Sequence, residues 1–264
     1  MMGEVHISLT SIPPRFDDLS LTLNSLLNQS AKITAVHLFI PREYRRKDFN
    51  GASLPKLPKG VELHSIDVDF GPASKILPAI KIITDPNAKI IFVDDDKIYD
   101  DDLAQRLVAN SEQHPNTAMC EHSVSVKNFA ASVYRAENPI KYRLRRIASG
   151  GSWKPTKNAS SGHLNCFEGY GGVLIQPNFF TDDVFEIPDV LWTVDDVWLS
   201  GNVCKNGIEI VRNPDRKADW PKPTKNNEKS TLYDMVYKGY NRGKANLACV
   251  EYYQEQHGIW AFEL

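Results

Sequence analysis

Two carboxylate clusters hold most of the chemistry available to this 264-residue chain. The first is Asp94-Asp95-Asp96, which follows Ile90-Ile91-Phe92-Val93 without a break. A short, β-branched apolar run of this kind reads as a fully buried strand. Three adjacent like charges at its end need neutralising, because uncompensated charge in a low-dielectric surrounding is costly. A divalent cation at the carboxyl end of the strand meets that need, and hard oxygen ligands on a short turn suit magnesium, manganese or calcium better than zinc. The spacing of Asp94 and Asp96 lets both side chains reach one side of the turn, one ligating a metal while the other contacts a ribose or a metal-bound water. Asp100-Asp101-Asp102 reads instead as the cap of a following helix. An EF-hand loop does not fit, since it needs an oxygen ligand and then glycine where Ile98 and Tyr99 stand.

The second cluster is Trp192-Thr193-Val194-Asp195-Asp196-Val197-Trp198-Leu199-Ser200-Gly201. Its paired carboxylates are flanked by apolar residues, which places them at the lip of an apolar wall. Burial raises a carboxylate's pKa and makes it a better base than in water; the plain alternative is a helix start with Asp195 as cap. Gly169-Tyr170-Gly171-Gly172 marks a turn where backbone approaches something closely or takes positive φ, and an ordinary tight turn accounts for it equally. In Phe70-Gly71-Pro72-Ala73-Ser74-Lys75, helix-start amides and a lysine make a diphosphate site, with a surface lysine as the equal alternative. Arg135, Lys141, Arg143, Arg145 and Arg146, near Tyr134, Tyr142 and Trp153, suit an anionic acceptor or an anionic membrane surface, against the plainer reading of a solvated loop. His257 stands near the C-terminus beside Trp260; a lone histidine is more often structural than a ligand.

These residues need a scaffold, and the pattern supplies one. Val5 to Leu9, Val36 to Ile40, Val61 to Val68 and the run ending at Val93 read as strands. Between them, Leu19, Leu23, Leu26 and Leu27, with Asp17 or Asp18 as cap, and then Ile76, Leu77, Ile80 and Ile83 recur at helical spacing. A helix through Leu103, Leu107 and Val108 follows. Strands alternating with helices of this length predict an α/β domain with a mostly parallel sheet covered on both faces, and ligands at the carboxyl ends of the strands. Beyond residue 115 the pattern is less regular: one or two strands within Ala118 to Val133, a basic aromatic segment from Tyr134 to Pro155, a loop-to-helix passage at Val184 to Trp198, a strand at Ile208 to Arg212, and a polar loop or lid from Pro214 to Lys229.

Hydrophobic content of 42% and charged content of 24% are those of a globular protein, and a formal net charge of -2 excludes a broadly basic nucleic-acid binder. Cys120, Cys166, Cys204 and Cys249 show neither close pairing nor metal-ligand spacing, which predicts buried free thiols in a reducing compartment. With no signal-type segment and no run of transmembrane length, the chain reads as cytoplasmic, touching at most the inner face of a membrane.

Taken in order, the motifs resemble those of the GT-A fold glycosyltransferases, in particular the DxD-containing, nucleotide-sugar-dependent, bacterial-type members. Thr10-Ser11-Ile12-Pro13-Pro14-Arg15 stands where that family's first strand delivers residues to the nucleotide. Val93-Asp94-Asp95-Asp96 is similar to the DxD motif, Gly169 to Gly172 to a glycine-bearing acceptor-side segment, and Asp195-Asp196-Val197-Trp198 to the acidic pair of inverting members. The family usually has Glu where this chain has Asp195. The resemblance implies a single GT-A-like (Rossmann-like) domain over residues 1–264, with a nucleotide-sugar half (1–115) and a smaller acceptor half (116–264). It implies Mn2+ or Mg2+ held by Asp96, Asp94 and the C-terminal His257, and a nucleotide-sugar donor, commonly a uridine one, contacted by Thr10, Arg15, Lys75, Asp94 and Asp95. Gly171, Gly172 and Trp198 would face a glycan or glycolipid acceptor. Asp196, or its neighbour Asp195, would be the base in a hexosyl transfer with inversion. Two other readings stay open: a nucleotidyltransferase on a related sheet, although Thr10 to Phe16 lacks the glycine-rich loop such enzymes carry, and a non-catalytic, calcium-dependent carbohydrate-binding protein, which would leave Asp195 and Asp196 without a role.

Overall fold

The computed structural model describes residues 3–150, 165–225 and 235–261. The apolar runs form seven strands of one sheet: β1 (Val5–Thr10), β2 (Ala35–Pro41), β3 (Val61–Ile66), β4 (Lys89–Phe92), β5 (Thr117–Cys120), β6 (Val173–Ile175) and β7 (Glu209–Arg212). Their order is β7-β5-β6-β4-β1-β2-β3. Every pairing is parallel except those of β6, which runs antiparallel between β4 and β5.

Alternation along the strands divides the core in two. Val5, Ile7 and Leu9 of β1 and Ile91 of β4 point to one face, where Leu19, Leu23 and Leu26 of α1 (Leu19–Leu27) pack. Leu103 and Leu107 of α3 (Leu103–Gln113) complete that cluster. Phe39, Ile90 and Phe92 point to the other face, against Leu77 of α2 (Leu77–Ile82), Trp198 and Leu199 of α6 (Asp195–Lys205) and Tyr253 of α7 (Arg242–His257). The sheet is therefore covered on both sides, as a mostly parallel sheet requires. Helices α6 and α7 meet at Gly201, where a Cβ would lie 2.0 Å from the Tyr253 ring. Helix α7 is capped by the Asn241 side chain, which accepts the Lys244 N–H at 2.9 Å, and it ends at Gly258 in the left-handed region (φ 65°).

The chain winds outward from β1 to β2 and β3, then returns to place β4 on the other side of β1. The point between β1 and β4 is where strand order reverses, and ligands of open α/β sheets bind outside the carboxyl ends of the strands there.

Several local expectations need correction. The strands expected within Ala118 to Val133 are β5 and Ser123–Ser125, the latter paired with Asn165–Phe167, but the basic aromatic segment read as a solvated loop is helical, and two helices, α4 (Lys127–Glu137) and α5 (Pro139–Ala148), stand there. Phe129 and Val133 stand at helical spacing, and Pro139 at the first position starts α5. Asp18 and Asp102 occupy N-cap positions, but neither side chain makes a capping hydrogen bond. Asp100 and Asp102 instead pair with Arg106 at 2.5 and 2.6 Å and with Lys217, and Arg106 continues to Glu121 at 3.0 Å. That acidic block is a neutralised tie between α3 and the strands behind it. The four cysteines are free, Cys204 alone being partly exposed. No described helix is long and apolar enough to cross a membrane. Trp153 and residues 226–229 of the polar loop lie outside the described residues.

Candidate active site

Strand β4 carries its alignment past its end: the Val93 N–H donates to the Ser8 carbonyl at 3.1 Å, which delivers Asp94, Asp95 and Asp96 beside the Ser11–Arg15 turn that follows β1. The Ser11 hydroxyl donates to Asp95, Arg15 reaches Asp95 at 2.5 Å and Asp96 at 3.2 Å, and Thr22 of α1 donates to the Asp95 carbonyl at 2.8 Å. Burial pushes the Asp95 carboxyl up, against the pull of Arg15 and Ser11. Burial likewise works against charge on the Arg15 guanidinium, but Asp95 and Asp96 outweigh it and hold Arg15 above its ordinary value. The Tyr99 hydroxyl accepts the Asp94 N–H at 3.1 Å and lies 3.0 Å from the Tyr170 carbonyl, fixing the start of the acidic turn to the glycine turn.

Lys75 joins the two acidic clusters. It is 3% exposed, and its Nζ lies 2.8 Å from Asp94, 2.8 Å from Asp195 and 3.3 Å from Asp196. Burial alone would lower its pKa; the three carboxylates together raise it well above the ordinary lysine value. The same ammonium holds the Asp94 carboxyl below its usual range against the effect of burial. The local fold explains how a lysine reaches this place. Gly71, at φ +63°, opens a 3₁₀ turn over Gly71–Lys75, and a Cβ there would lie 2.7 Å from the Trp192 ring. The Ser8 hydroxyl donates to the Lys75 carbonyl, and Asp69 accepts the Gly71 N–H at 2.7 Å. Lys75 is therefore not a surface lysine, and its ammonium is shared by three carboxylates.

Asp195 and Asp196 open α6. Asp195 is enclosed against Lys75. Asp196 is pushed up to about 7, first by burial and then by Asp195 and Asp94, against the opposing pull of Lys75 and Arg242. The approach of Lys75 to Asp196 depends on Gly169, where a Cβ would lie 2.3 Å from Lys75 Nζ and 2.8 Å from Asp196 Oδ1.

Thr10, Arg15, Lys75, Asp94, Asp95, Asp96, Asp195 and Asp196 all line one cavity of about 250 Å³ at the carboxyl ends of β1 and β4. A larger cavity of about 670 Å³ lies on the other side of Asp196, between α4, the Phe167–Glu168 segment and the start of α7. Among the described residues, Asp196 and Arg242 line both. Four other expected site residues are elsewhere. Trp198 is a core residue whose indole donates to the Val184 carbonyl at 2.9 Å. Gly171 packs on the His122 ring, where a Cβ would lie 2.5 Å away, and Gly172 takes φ +99° beside Leu103, so of the turn's glycines it is Gly169 that approaches the carboxylates. His257 ends α7 against Tyr252 and Tyr253; at 1.5 Å per residue it lies roughly 22 Å along the helix from Arg242, which removes it from the carboxylates.

No protein-family model matches the chain, and no curated protein matches it. Solved structures similar to it include S. aureus TarS, at 13% identity over 84% of this chain and 36% of that one, with a TM-score of 0.45. M. tuberculosis glucosyl-3-phosphoglycerate synthase in complex with Mn2+, UDP and glucosyl-3-phosphoglycerate is similar at 11% identity over 98% and 81% of the two chains, with a TM-score of 0.45. A 4-diphosphocytidyl-2C-methyl-D-erythritol synthase is similar at 11% identity over 82% and 91%, with a TM-score of 0.45. This chain thus spans about a third of the TarS chain. Likeness at this level is one of chain path and says nothing of the reaction.

The first cavity also holds residues that the sequence reading missed. Tyr44 donates to the Ser11 carbonyl at 3.0 Å and stands edge-on to Phe49, whose ring lies under Arg46; Trp192 lines the same cavity. A signal existed: Tyr44, Arg46 and Phe49 are aromatic and basic residues in the loop that leaves the carboxyl end of β2, where ligand-contacting loops are expected.

Proposed function

We propose that the protein transfers a sugar from a nucleotide sugar to a hydroxyl of a glycan or glycolipid acceptor, with inversion at the anomeric carbon. The observation that carries this reading is the position of Asp196, a carboxyl pushed up to about 7 in the wall between two cavities. A group so placed reaches a donor in one cavity and an acceptor in the other, and its pKa suits proton transfer near neutrality.

The donor side fits a divalent ion. Four cationic side chains and six carboxylates line the first cavity, so a nucleoside diphosphate would enter a site already in negative excess. The Asp96 Oδ1 atom is buried and accepts no hydrogen bond, its nearest cation being Lys97 at 3.2 Å. Asp96 and Asp94 are the residues to hold Mn2+ or Mg2+. The ion's contribution when bound is neutralisation of charge on the departing nucleoside diphosphate. Arg15 keeps Asp95 and Asp96 in place, and Lys75 keeps Asp94 and Asp195 in place. Tyr44, Phe49 and Trp192 supply flat apolar surface for a nucleobase.

On the acceptor side, Asp196 takes the proton of the attacking hydroxyl as its oxygen bonds to the anomeric carbon and the bond from that carbon to the diphosphate oxygen breaks. General-base catalysis of this kind contributes about 10²–10⁴-fold. Helix α4 lines the acceptor cavity and packs on α5, whose Ile140, Leu144 and Ile147 are 74%, 63% and 77% exposed on one stripe. Lys141, Arg143, Arg145 and Arg146 share that helix. An apolar stripe among basic residues fits the surface of an anionic bilayer and supports a lipid-linked acceptor.

Calorimetry with a panel of nucleoside diphosphates and nucleotide sugars tests the donor assignment. At least one nucleotide, a uridine one first, is expected to bind in the presence of Mn2+ and to lose that binding in Asp96→Asn. Unchanged nucleotide affinity in the variant would remove the metal from Asp96, and no binding by any nucleotide would remove the donor. Release of pyrophosphate from a nucleoside triphosphate and a sugar phosphate would instead establish a nucleotidyltransferase.

A further inference from the structure

At the opposite end of the sheet, away from both cavities, three imidazoles form a ladder across β1, β2 and β3. His6, His37 and His64 share the sheet face of Phe39, each displaced by two residues along the parallel register. His6 Nδ1 lies 3.0 Å from His37 Nε2, and His37 Nδ1 lies 3.0 Å from His64 Nε2. Carboxylates stand at both ends: Glu4 is 3.3 Å from His6 Nε2, and Glu62 is 3.3 Å from His37 Nδ1 and 3.7 Å from His64 Nε2. A cavity of about 550 Å³ opens over Glu4, His6, His37 and Glu62.

The ring protons of this ladder can be arranged in two ways. A neutral His37 carries one ring proton. If that proton is on Nδ1, it serves Glu62 or His64. His37 Nε2 must then accept from His6 Nδ1–H, which leaves the His6 Nε2 lone pair facing the Glu4 carboxylate. If the proton is on Nε2, it is donated to His6 Nδ1, and His6 Nε2–H is donated to Glu4. His37 Nδ1 then accepts from His64 Nε2–H, and if that one proton moves to the other His64 nitrogen, both lone pairs stand free beside the Glu62 oxygen.

We propose that His37 Nδ1, His64 Nε2 and a Glu62 carboxylate oxygen bind one first-row transition-metal ion of the Zn2+ class, with His6 and Glu4 orienting the site. In the second arrangement an ion takes the place of the His64 Nε2 proton. His37 and His64 turn lone pairs to the metal beside the Glu62 oxygen, while a carboxylate–imidazole relay through Glu4 and His6 holds the His37 tautomer, as outer-sphere partners of metal-binding histidines do. The geometry is already that of a coordination sphere. Ligands at 2.0–2.1 Å from a tetrahedral ion lie about 3.3–3.4 Å from one another, and the three atoms are separated by 3.0, 3.3 and 3.7 Å. These three atoms lie within 4.8 Å of one another as a possible ligand set. Two imidazoles and one carboxylate select Zn2+, Co2+ or Ni2+ over Mg2+ and Ca2+. The half-exposed Glu62 side leaves the fourth position to water. Such an ion would clamp β3, the edge strand of the sheet, to β2.

The test is calorimetric titration of metal-free protein with Zn2+ at neutral pH, repeated with Co2+ while its d–d absorption reports coordination number. Wild type is expected to bind one equivalent with a four-coordinate Co2+ spectrum. Glu62→Gln, at an exposed side chain, and His64→Ala are expected to lose both signals, and His6→Gln to weaken binding by about 10–100-fold. Asp96→Asn is expected to leave them unchanged, which separates this site from the donor cavity. Absence of Zn2+ binding in wild type, its persistence in Glu62→Gln and His64→Ala, or its loss in Asp96→Asn would overturn the assignment.

Discussion

Replacing Asp196 by asparagine is expected to make the protein more stable, by an amount that depends on pH. The carboxyl is moved from an ordinary value of 3.8 to about 7, first by burial and then by Asp195 and Asp94, net of the attraction to Lys75 and Arg242. Folding therefore makes this carboxyl hold its proton more tightly. The stability associated with that proton is fully present below the unfolded value and is lost as pH rises through about 7. At 1.36 kcal/mol per pH unit, the loss amounts to roughly 4 kcal/mol above neutrality. Asparagine has nearly the same shape and no charge to lose, so Asp196→Asn escapes it, less whatever Lys75 gives up when one of its three partners is neutral. Urea denaturation of both proteins between about pH 5 and about pH 8 reads the difference from the midpoints, provided the slopes agree. The variant is expected to gain roughly 1–2 kcal/mol already at about pH 5, more with each unit up to about pH 7, and to reach a plateau of at most about 4 kcal/mol. A variant that is less stable at alkaline pH, or a gap that does not change with pH, would refute a buried carboxyl held under strain for proton transfer.

Three other outcomes follow from the same geometry. Lys75→Met leaves Asp94, Asp195 and Asp196 without their shared cation and is expected to cost about 3–5 kcal/mol at neutral pH, less in acid as carboxyls protonate, read by denaturant titration. Gly169→Ala is expected to fold but to lose at least tenfold in turnover, because its Cβ displaces Lys75 Nζ or Asp196 from positions 2.3 and 2.8 Å away; wild-type turnover in the variant would show that this contact is unimportant. Wild type is expected to co-sediment with anionic but not neutral vesicles, and the triple change of Ile140, Leu144 and Ile147 to serine to stay in the supernatant; equal partition of both proteins would remove α5 from any membrane role.

How much the sequence disclosed differs from one part of the site to another. A buried run entering carboxylates is a local pattern, and Ile90 to Asp96 was legible for that reason. The alternation behind β1 to β4 was equally local, and it predicted the mostly parallel sheet correctly. Lys75 was ambiguous because what decides its role lies far away: Asp196 is 121 positions on, and only the fold brings it within 3.3 Å. Arg15 was expected to contact a nucleotide, and the structure engages it with Asp95 and Asp96, which sequence spacing does not reveal. Trp198 misled because an aromatic beside an acidic pair looks the same in sequence whether it faces a ligand or the core. The histidine ladder was invisible for the same reason as Lys75, with each imidazole on a different strand and only the parallel register aligning them.

The central claim is that Asp196 activates an acceptor hydroxyl against a nucleotide sugar held beside Asp94 and Asp96. The most direct measurement is nucleoside diphosphate release from a panel of nucleotide sugars with Mn2+ and mixed glycan and glycolipid acceptors, run in parallel on wild type and Asp196→Asn. Wild type is expected to release the diphosphate from at least one donor in step with glycosylated product, and Asp196→Asn to bind that donor with unchanged affinity while losing about 10²–10⁴-fold in turnover. Near-normal turnover in Asp196→Asn, or a wild-type protein that binds a nucleotide sugar and never transfers it, would contradict the account.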